Sequence, residues 1–140
     1  MNDMKKIIYV LIATIALLTS CTSASVSSEK ETEKPMTKVE IINDTPEVFE
    51  SNMEGDYLLL DVRTQEEYDA GHIESSLLIP VSELESRLDE IEAYKDKSVL
   101  VYCRSGNRSV TASNILIDNG FTDVHNLLTG YNGWVAYVGK

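Results

Sequence analysis

Val99-Leu-Val-Tyr102 is a short, largely β-branched apolar run of the kind that forms a strand buried on both faces, and it stops at Cys103. Arg104–Ser109 is polar, with Gly106 near its centre, and offers few side chains to a core. Val110–Ile117 then places apolar residues at helical spacing, and Gly120 stands where a helix C-terminal stop belongs. Strand, six-residue loop and helix make a device for holding an anion. Successive loop N–H groups point inward, and the helix N-terminus adds partial positive charge at the same place. A cysteine at the lip of such a cradle is biased toward thiolate, with Arg104 and Arg108 adding to the bias. The position of Cys103 outside the apolar run, between Tyr102 and Arg104, favours this role over that of a small buried core residue.

The chain around this unit alternates short apolar strands with helices. Val39–Ile42 is a candidate strand, and Asp44 or Thr45 can cap a helix that has Pro46 in its first turn and runs to about Asn52. Tyr57–Val62 is a second buried strand. Thr64-Gln-Glu-Glu67 is a capping box for a short helix ended by Gly71, and Leu77–Ile79 is a third strand stopped by Pro80. Ser82-Glu-Leu-Glu85 is a second capping box, opening a helix whose apolar stripe is Leu84, Leu88 and Ile91. Asp123–Leu127 is the fifth strand, and Trp134–Val138 a closing helix. The pattern predicts an α/β fold with a mainly parallel, roughly five-stranded sheet and helices on both faces. In such sheets ligands bind beyond the C-terminal strand ends, where Cys103 falls.

Cys103-Arg-Ser-Gly-Asn-Arg-Ser109 resembles the active-site loop of single-domain rhodaneses, sulfurtransferases that carry sulfur as a cysteine persulfide. Leu59-Leu-Asp-Val-Arg63, Ala70-Gly-His-Ile73 leading to Ile79-Pro80, and Gly130-Tyr-Asn-Gly-Trp134 agree with the same family. The resemblance runs from about Val39 to the end of the chain. It departs at the closing segment, where the family often has adjacent glycines and this chain separates Gly130 from Gly133. The resemblance implies a rhodanese-like fold over 39–140 and Cys103 as the nucleophile. Arg104, Ser105, Gly106, Asn107, Arg108 and Ser109 would hold the substrate anion, with Arg104 and Arg108 steering it. Asp61 and Arg63 would help organise the functional edge, although Asp-Val-Arg alone reads equally as a cap and a surface ion pair. His72 lies in a segment whose histidine is not generally a catalytic base in that family. His125, at the last strand, is read as lacking a nearby carboxylate or cysteine.

Met1–Cys21 reads as an export signal. Lys5 and Lys6 form a basic opening, and Ile7–Leu18 is an apolar run shorter than the ~20 residues needed to span a bilayer. Leu18-Thr-Ser-Cys21 resembles the lipobox of bacterial lipoproteins, which implies acylation of Cys21 and attachment to a membrane through lipid. Cleavage near Ala24 with release of the domain, and an uncleaved anchor, are the alternatives. Residues 22–38 are Ser, Thr, Glu and Lys with one proline and no apolar periodicity, and read as a flexible tether.

A net charge of −11 argues against nucleic acid as a partner and leaves no basic face for anionic lipid. With only two cysteines, acylation of Cys21 leaves Cys103 without an intramolecular partner, so an exported chain carries a reactive thiol or an intermolecular bridge. The cysteines are too far apart in sequence to suggest a zinc site, and no Gly-rich nucleotide motif is present; no cofactor is expected. The resemblance implies transfer of sulfane sulfur from a small anionic donor such as thiosulfate to a thiol or cyanide; a monomer is expected. Two alternatives come from related folds. One is a phosphatase or arsenate reductase, although those loops carry one more residue between cysteine and arginine than the four between Cys103 and Arg108. The other is a non-catalytic binding module, a form that usually lacks the cysteine.

Overall fold

The computed structural model describes residues 38–140. The expected signal, Cys21 and residues 22–37 of the expected tether lie outside the described residues. Five strands, β1 (Ile42–Asp44), β2 (Tyr57–Asp61), β3 (Leu77–Leu78), β4 (Ser98–Tyr102) and β5 (Asp123–Leu127), form one sheet in the order β1-β5-β4-β2-β3. Every pairing is parallel, with Leu60 opposite Val101 and Leu100 opposite His125. The α-helices are α1 (Pro46–Ser51), α2 (Gln65–Asp69), α3 (Val81–Leu84), α4 (Asn107–Asp118) and α5 (Gly130–Val138), and Glu85–Tyr94 continues α3 as a 3-10 segment.

Successive strand side chains point to opposite faces, so the central strands feed two cores. Leu58, Leu60, Val62, Val99 and Val101 pack with Leu84, Ile91, Ala112 and Leu116 on one side. Leu59, Leu100, Tyr102 and Leu127 pack with Phe49 and the partly buried Trp134 and Tyr131 on the other. Both faces are therefore covered, as the near-continuous apolar runs of β2 and β4 require. Each fully buried aliphatic side chain in these layers contributes roughly 1.5–3 kcal/mol. Being central, β4 has its C-terminal end, and the loop that follows, flanked by elements on both sides.

β2 and β3 each end one residue earlier than expected, and four elements differ by two residues or more. The first strand is Ile42–Asp44 rather than Val39–Ile42, because the Asp44 carboxylate is satisfied inside the fold by Asn52 and His125. Val39–Ile41 instead lie beside Asn114, Ile117 and Asp118 near the end of α4. The Ser82–Glu85 capping box is not formed. Pro80 starts α3 two residues earlier than that box would, the Val81 N–H donates to the Val62 carbonyl at 3.2 Å, and the helix tightens to 3-10 after Leu84. α4 begins at Asn107 rather than Val110, so the end of the polar loop is already helical. α5 begins at Gly130 rather than Trp134, for a reason that lies in the Cys103 loop. The Thr64–Glu67 capping box forms as expected.

Candidate active site

Cys103 continues the β4 alternation in phase with Val99 and Val101, so its side chain turns toward α4 and is 1% exposed. Immediately beyond it the backbone is held from the α5 side. Tyr131 N–H donates to the Cys103 carbonyl at 2.7 Å and Asn132 N–H to the Arg104 carbonyl at 3.1 Å. The unpaired N–H groups that every helix carries in its first turn thus meet the carbonyls of the loop. Gly130, at φ +60°, allows the approach, since a Cβ there would lie 2.5 Å from the Ser105 nitrogen. This anchoring starts α5 four residues before the apolar segment that suggested a helix. Gly106, at φ +96°, turns the chain into α4, and a Cβ there would collide with the Leu128 carbonyl.

With the carbonyls engaged elsewhere, the loop offers donors to sulfur. Gly106 N–H donates to Cys103 Sγ at 3.2 Å, and the Ser109 hydroxyl lies 3.4 Å from it while also reaching the Gly106 carbonyl at 2.9 Å. Burial is the largest single influence on the thiol and pushes its pKa up. The Ser109 hydroxyl and the N–H groups of Ser109, Ser105 and Gly106 together outweigh it and hold the thiol below its ordinary 9.0. The leading contributions to the thiolate therefore come from the neutral donors of the cradle at contact distance, as expected, while Arg104 and Arg108 are not among the leading influences.

Those arginines have separate fates. Arg108 forms a bidentate pair with Glu67 of α2, Nη1 to Oε2 at 2.7 Å and Nη2 to Oε1 at 2.8 Å. The Arg108 guanidinium holds the Glu67 carboxyl down at about 2, against an ordinary 4.5. Arg104 is exposed and has no ion-pair partner among the described residues. Ser105 and Asn107 are also exposed on the loop, while Gly106 and Ser109 are buried.

Asp61 and Arg63 form a buried pair, 0% and 3% exposed, in place of the surface ion pair that the residues alone allowed. Arg63 Nη2 meets Asp61 Oδ2 at 2.7 Å and the Gly71 carbonyl at 2.8 Å, and Nε lies 3.0 Å from both Asp61 oxygens. The guanidinium carbon sits 4.2 Å from the Tyr131 ring centroid. Arg63 therefore ties the end of β2 to the Gly71 turn and to α5, the helix that anchors the loop. A shallow pocket of about 170 Å³ lies beside the loop, with Arg63, Glu67, Gly71, Arg104 and Tyr131 among its walls.

The histidines stand apart from the cysteine. His72 is exposed, stacks on Tyr68 at 3.7 Å between centroids and approaches the Tyr68 carbonyl through Nδ1. His125 has carboxylate partners after all, Asp44 at 2.8 Å and Asp123 at 3.1 Å, the second only two positions away in sequence. In the sequence Glu67 reads only as a capping residue, and Tyr131 carries no sign of its role against Arg63. Glu67 shows no sequence cue for Arg108, 41 positions away, whereas Tyr131 lies inside the Gly130–Trp134 segment already singled out.

The matches to known proteins concentrate on this same region. The family model for the rhodanese-like domain matches residues 45–137. The thiosulfate sulfurtransferase GlpE of Coxiella burnetii is 32% identical over 91 residues, covering 65% of this chain and 83% of that protein. The uncharacterized protein YqhL of Bacillus subtilis is 41% identical over 76 residues, but these span only 59% of YqhL and 54% of this chain. Among solved structures, the human single-domain sulfurtransferase TSTD1 superposes with a TM-score of 0.57 at 29% identity, covering 71% of this chain and 96% of that one. Because the family match runs from α1 to α5 and takes in the whole Cys103 loop, this chain belongs to the rhodanese-like domain family.

Proposed function

We propose that the domain is a sulfurtransferase that carries sulfane sulfur on Cys103. The observation that supports this best is the cysteine itself: a buried thiol held below its ordinary pKa by the donors of a strand–loop–helix cradle. The names of relatives with detectable identity, thiosulfate sulfurtransferase and single-domain sulfurtransferase, point the same way.

In the first half-reaction the Cys103 thiolate attacks the outer sulfur of a donor such as thiosulfate. A new sulfur–sulfur bond forms at Cys103, the donor's sulfur–sulfur bond breaks, and sulfite leaves with the electron pair. The anionic persulfide then occupies the loop interior, where N–H groups already converge. In the second half-reaction a thiolate or cyanide takes the outer sulfur and returns Cys103 to thiolate. Charge balances in both halves with no net proton transfer, so a formed thiolate needs no general base. Arg104, exposed and without an ion-pair partner among the described residues, steers the incoming anion, while Ser105, Gly106, Asn107 and Ser109 shape the cradle. Acylation at Cys21 would hold this activity at a membrane surface.

The full chain, incubated with thiosulfate and cyanide, is expected to form thiocyanate with saturation in both substrates. Hydrolysis of an aryl phosphate faster than thiocyanate formation would replace this function with the oxyanion-handling alternative. The pairing of Arg108 with Glu67 weighs against that outcome, because it withholds the guanidinium that a phosphate would need.

A further inference from the structure

The cations around the loop are not equivalent. Arg63 is cancelled by Asp61 and Arg108 by Glu67, which leaves Arg104 as the loop cation without an ion-pair partner among the described residues. Glu67 is fixed from two directions. Its Oε2 accepts the Thr64 N–H at 3.1 Å in the capping box, and both its oxygens accept from Arg108. A carboxylate held by its own helix cap does not swing aside when an anion approaches. Glu67 also lines the pocket beside the loop, whose walls do not include Arg108.

We propose that Glu67 sets the charge selectivity of the loop: by cancelling Arg108 and presenting a carboxylate on the pocket wall, it favours monoanionic sulfane-sulfur donors over inorganic dianions. This rests on the sulfurtransferase function proposed above. With the N–H donors engaged by the Cys103 thiolate, Arg104 can balance one negative charge of an incoming donor. The second charge of a dianion meets Glu67 with no free guanidinium to offset it. Donors of the favoured class include organic thiosulfonates. From these, Cys103 takes the outer sulfur as its bond to the sulfonyl sulfur breaks and a sulfinate leaves with the electron pair. Glu67 is a positioning and specificity residue here, since it acts through charge and through Arg108 without bonding to the sulfur transferred.

The test compares kcat/KM for thiosulfate, a dianion, with that for an aromatic thiosulfonate, a monoanion, in the full chain. Glu67→Gln is expected to raise the thiosulfate-to-thiosulfonate ratio by roughly three- to tenfold, the order expected for one unit charge acting across a partly aqueous medium. Most of the change should appear in KM. Arg108→Gln should lower the ratio by a similar factor, and the double variant should return it toward the parent value. Alkylation of Cys103 by a neutral reagent, followed against pH, should show the thiolate midpoint falling in Glu67→Gln and rising in Arg108→Gln. A Glu67 whose role is only to hold the fold would reduce kcat/KM for both donors alike. An unchanged ratio in the single variants, or shifts of the same sign in both, overturns the proposal. Should Glu67→Gln fold poorly, Arg108→Gln still carries a prediction of definite sign. If the parent chain transfers sulfur from neither donor, the sulfurtransferase function itself fails and this selectivity falls with it.

Discussion

Cys103→Ser is expected to lose sulfur transfer by roughly 1,000-fold or more while keeping its fold. A serine hydroxyl ionises far above the working pH, and among the described residues neither histidine is placed to serve it as a base. His72 stacks on Tyr68, and His125 is engaged by Asp44 and Asp123. The hydroxyl would nevertheless accept the Gly106 N–H that now reaches sulfur, so no buried donor is orphaned and the urea midpoint should stay close to the parent value. The pH dependence follows from the depressed thiol pKa. Lowering the pKa of an acid extends its ionised form to lower pH, so the parent's alkylation rate should reach its half-maximum below 9.0 and level off above it. A serine variant with the parent's rate of thiocyanate formation would contradict the role of Cys103. A half-maximum at or above 9.0 would mean that burial outweighs the loop donors.

Arg63→Met is expected to destabilise the domain by about 3–5 kcal/mol, because it strands a charged carboxylate in the interior. Asp61 is fully buried, and the Arg63 side chain is its partner through three contacts of 2.7–3.0 Å. The Arg63 backbone N–H, 2.9 Å from Oδ1, remains in the variant but does not neutralise the charge. The Gly71 carbonyl loses its donor as well. Small domains are stable by ~5–15 kcal/mol, so this loss is large enough to populate unfolded chain at growth temperature. The double change Asp61→Val with Arg63→Met removes both charges and should recover part of the loss, the behaviour of a buried pair whose burial cost nearly matches its attraction. Urea unfolding of the three chains measures this. Equal stability of parent and Arg63→Met would show that water reaches Asp61.

The sheet and the Cys103 loop were legible because their signals are local. β4, the polar loop and α4 are contiguous, and the apolar alternation that makes β4 a buried strand also carries Cys103 to its end. The resemblance to rhodaneses rested on that same stretch. What was illegible depends on residues brought together across the chain. Asp61 and Arg63 sit two positions apart, yet their burial comes from the Gly71 turn and from Tyr131. The start of α5 is set by two carbonyls of the Cys103 loop, which no periodicity within residues 130–138 reveals. Glu67 announces itself as a cap of α2 and conceals its second role, because its partner Arg108 belongs to another helix. The N–H share of the thiolate bias was legible in the strand–loop–helix pattern, but the share of the Ser109 hydroxyl, and the withdrawal of Arg108 to Glu67, depend on loop geometry.

Storage of sulfur on Cys103 is tested most directly by the mass of the protein after brief incubation with thiosulfate and removal of excess donor. One added sulfur atom, mapped to the peptide that contains Cys103 and lost on addition of cyanide, is the predicted result. An unmodified Cys103 peptide under conditions where thiocyanate forms, or a sulfur adduct located elsewhere in the chain, would contradict it.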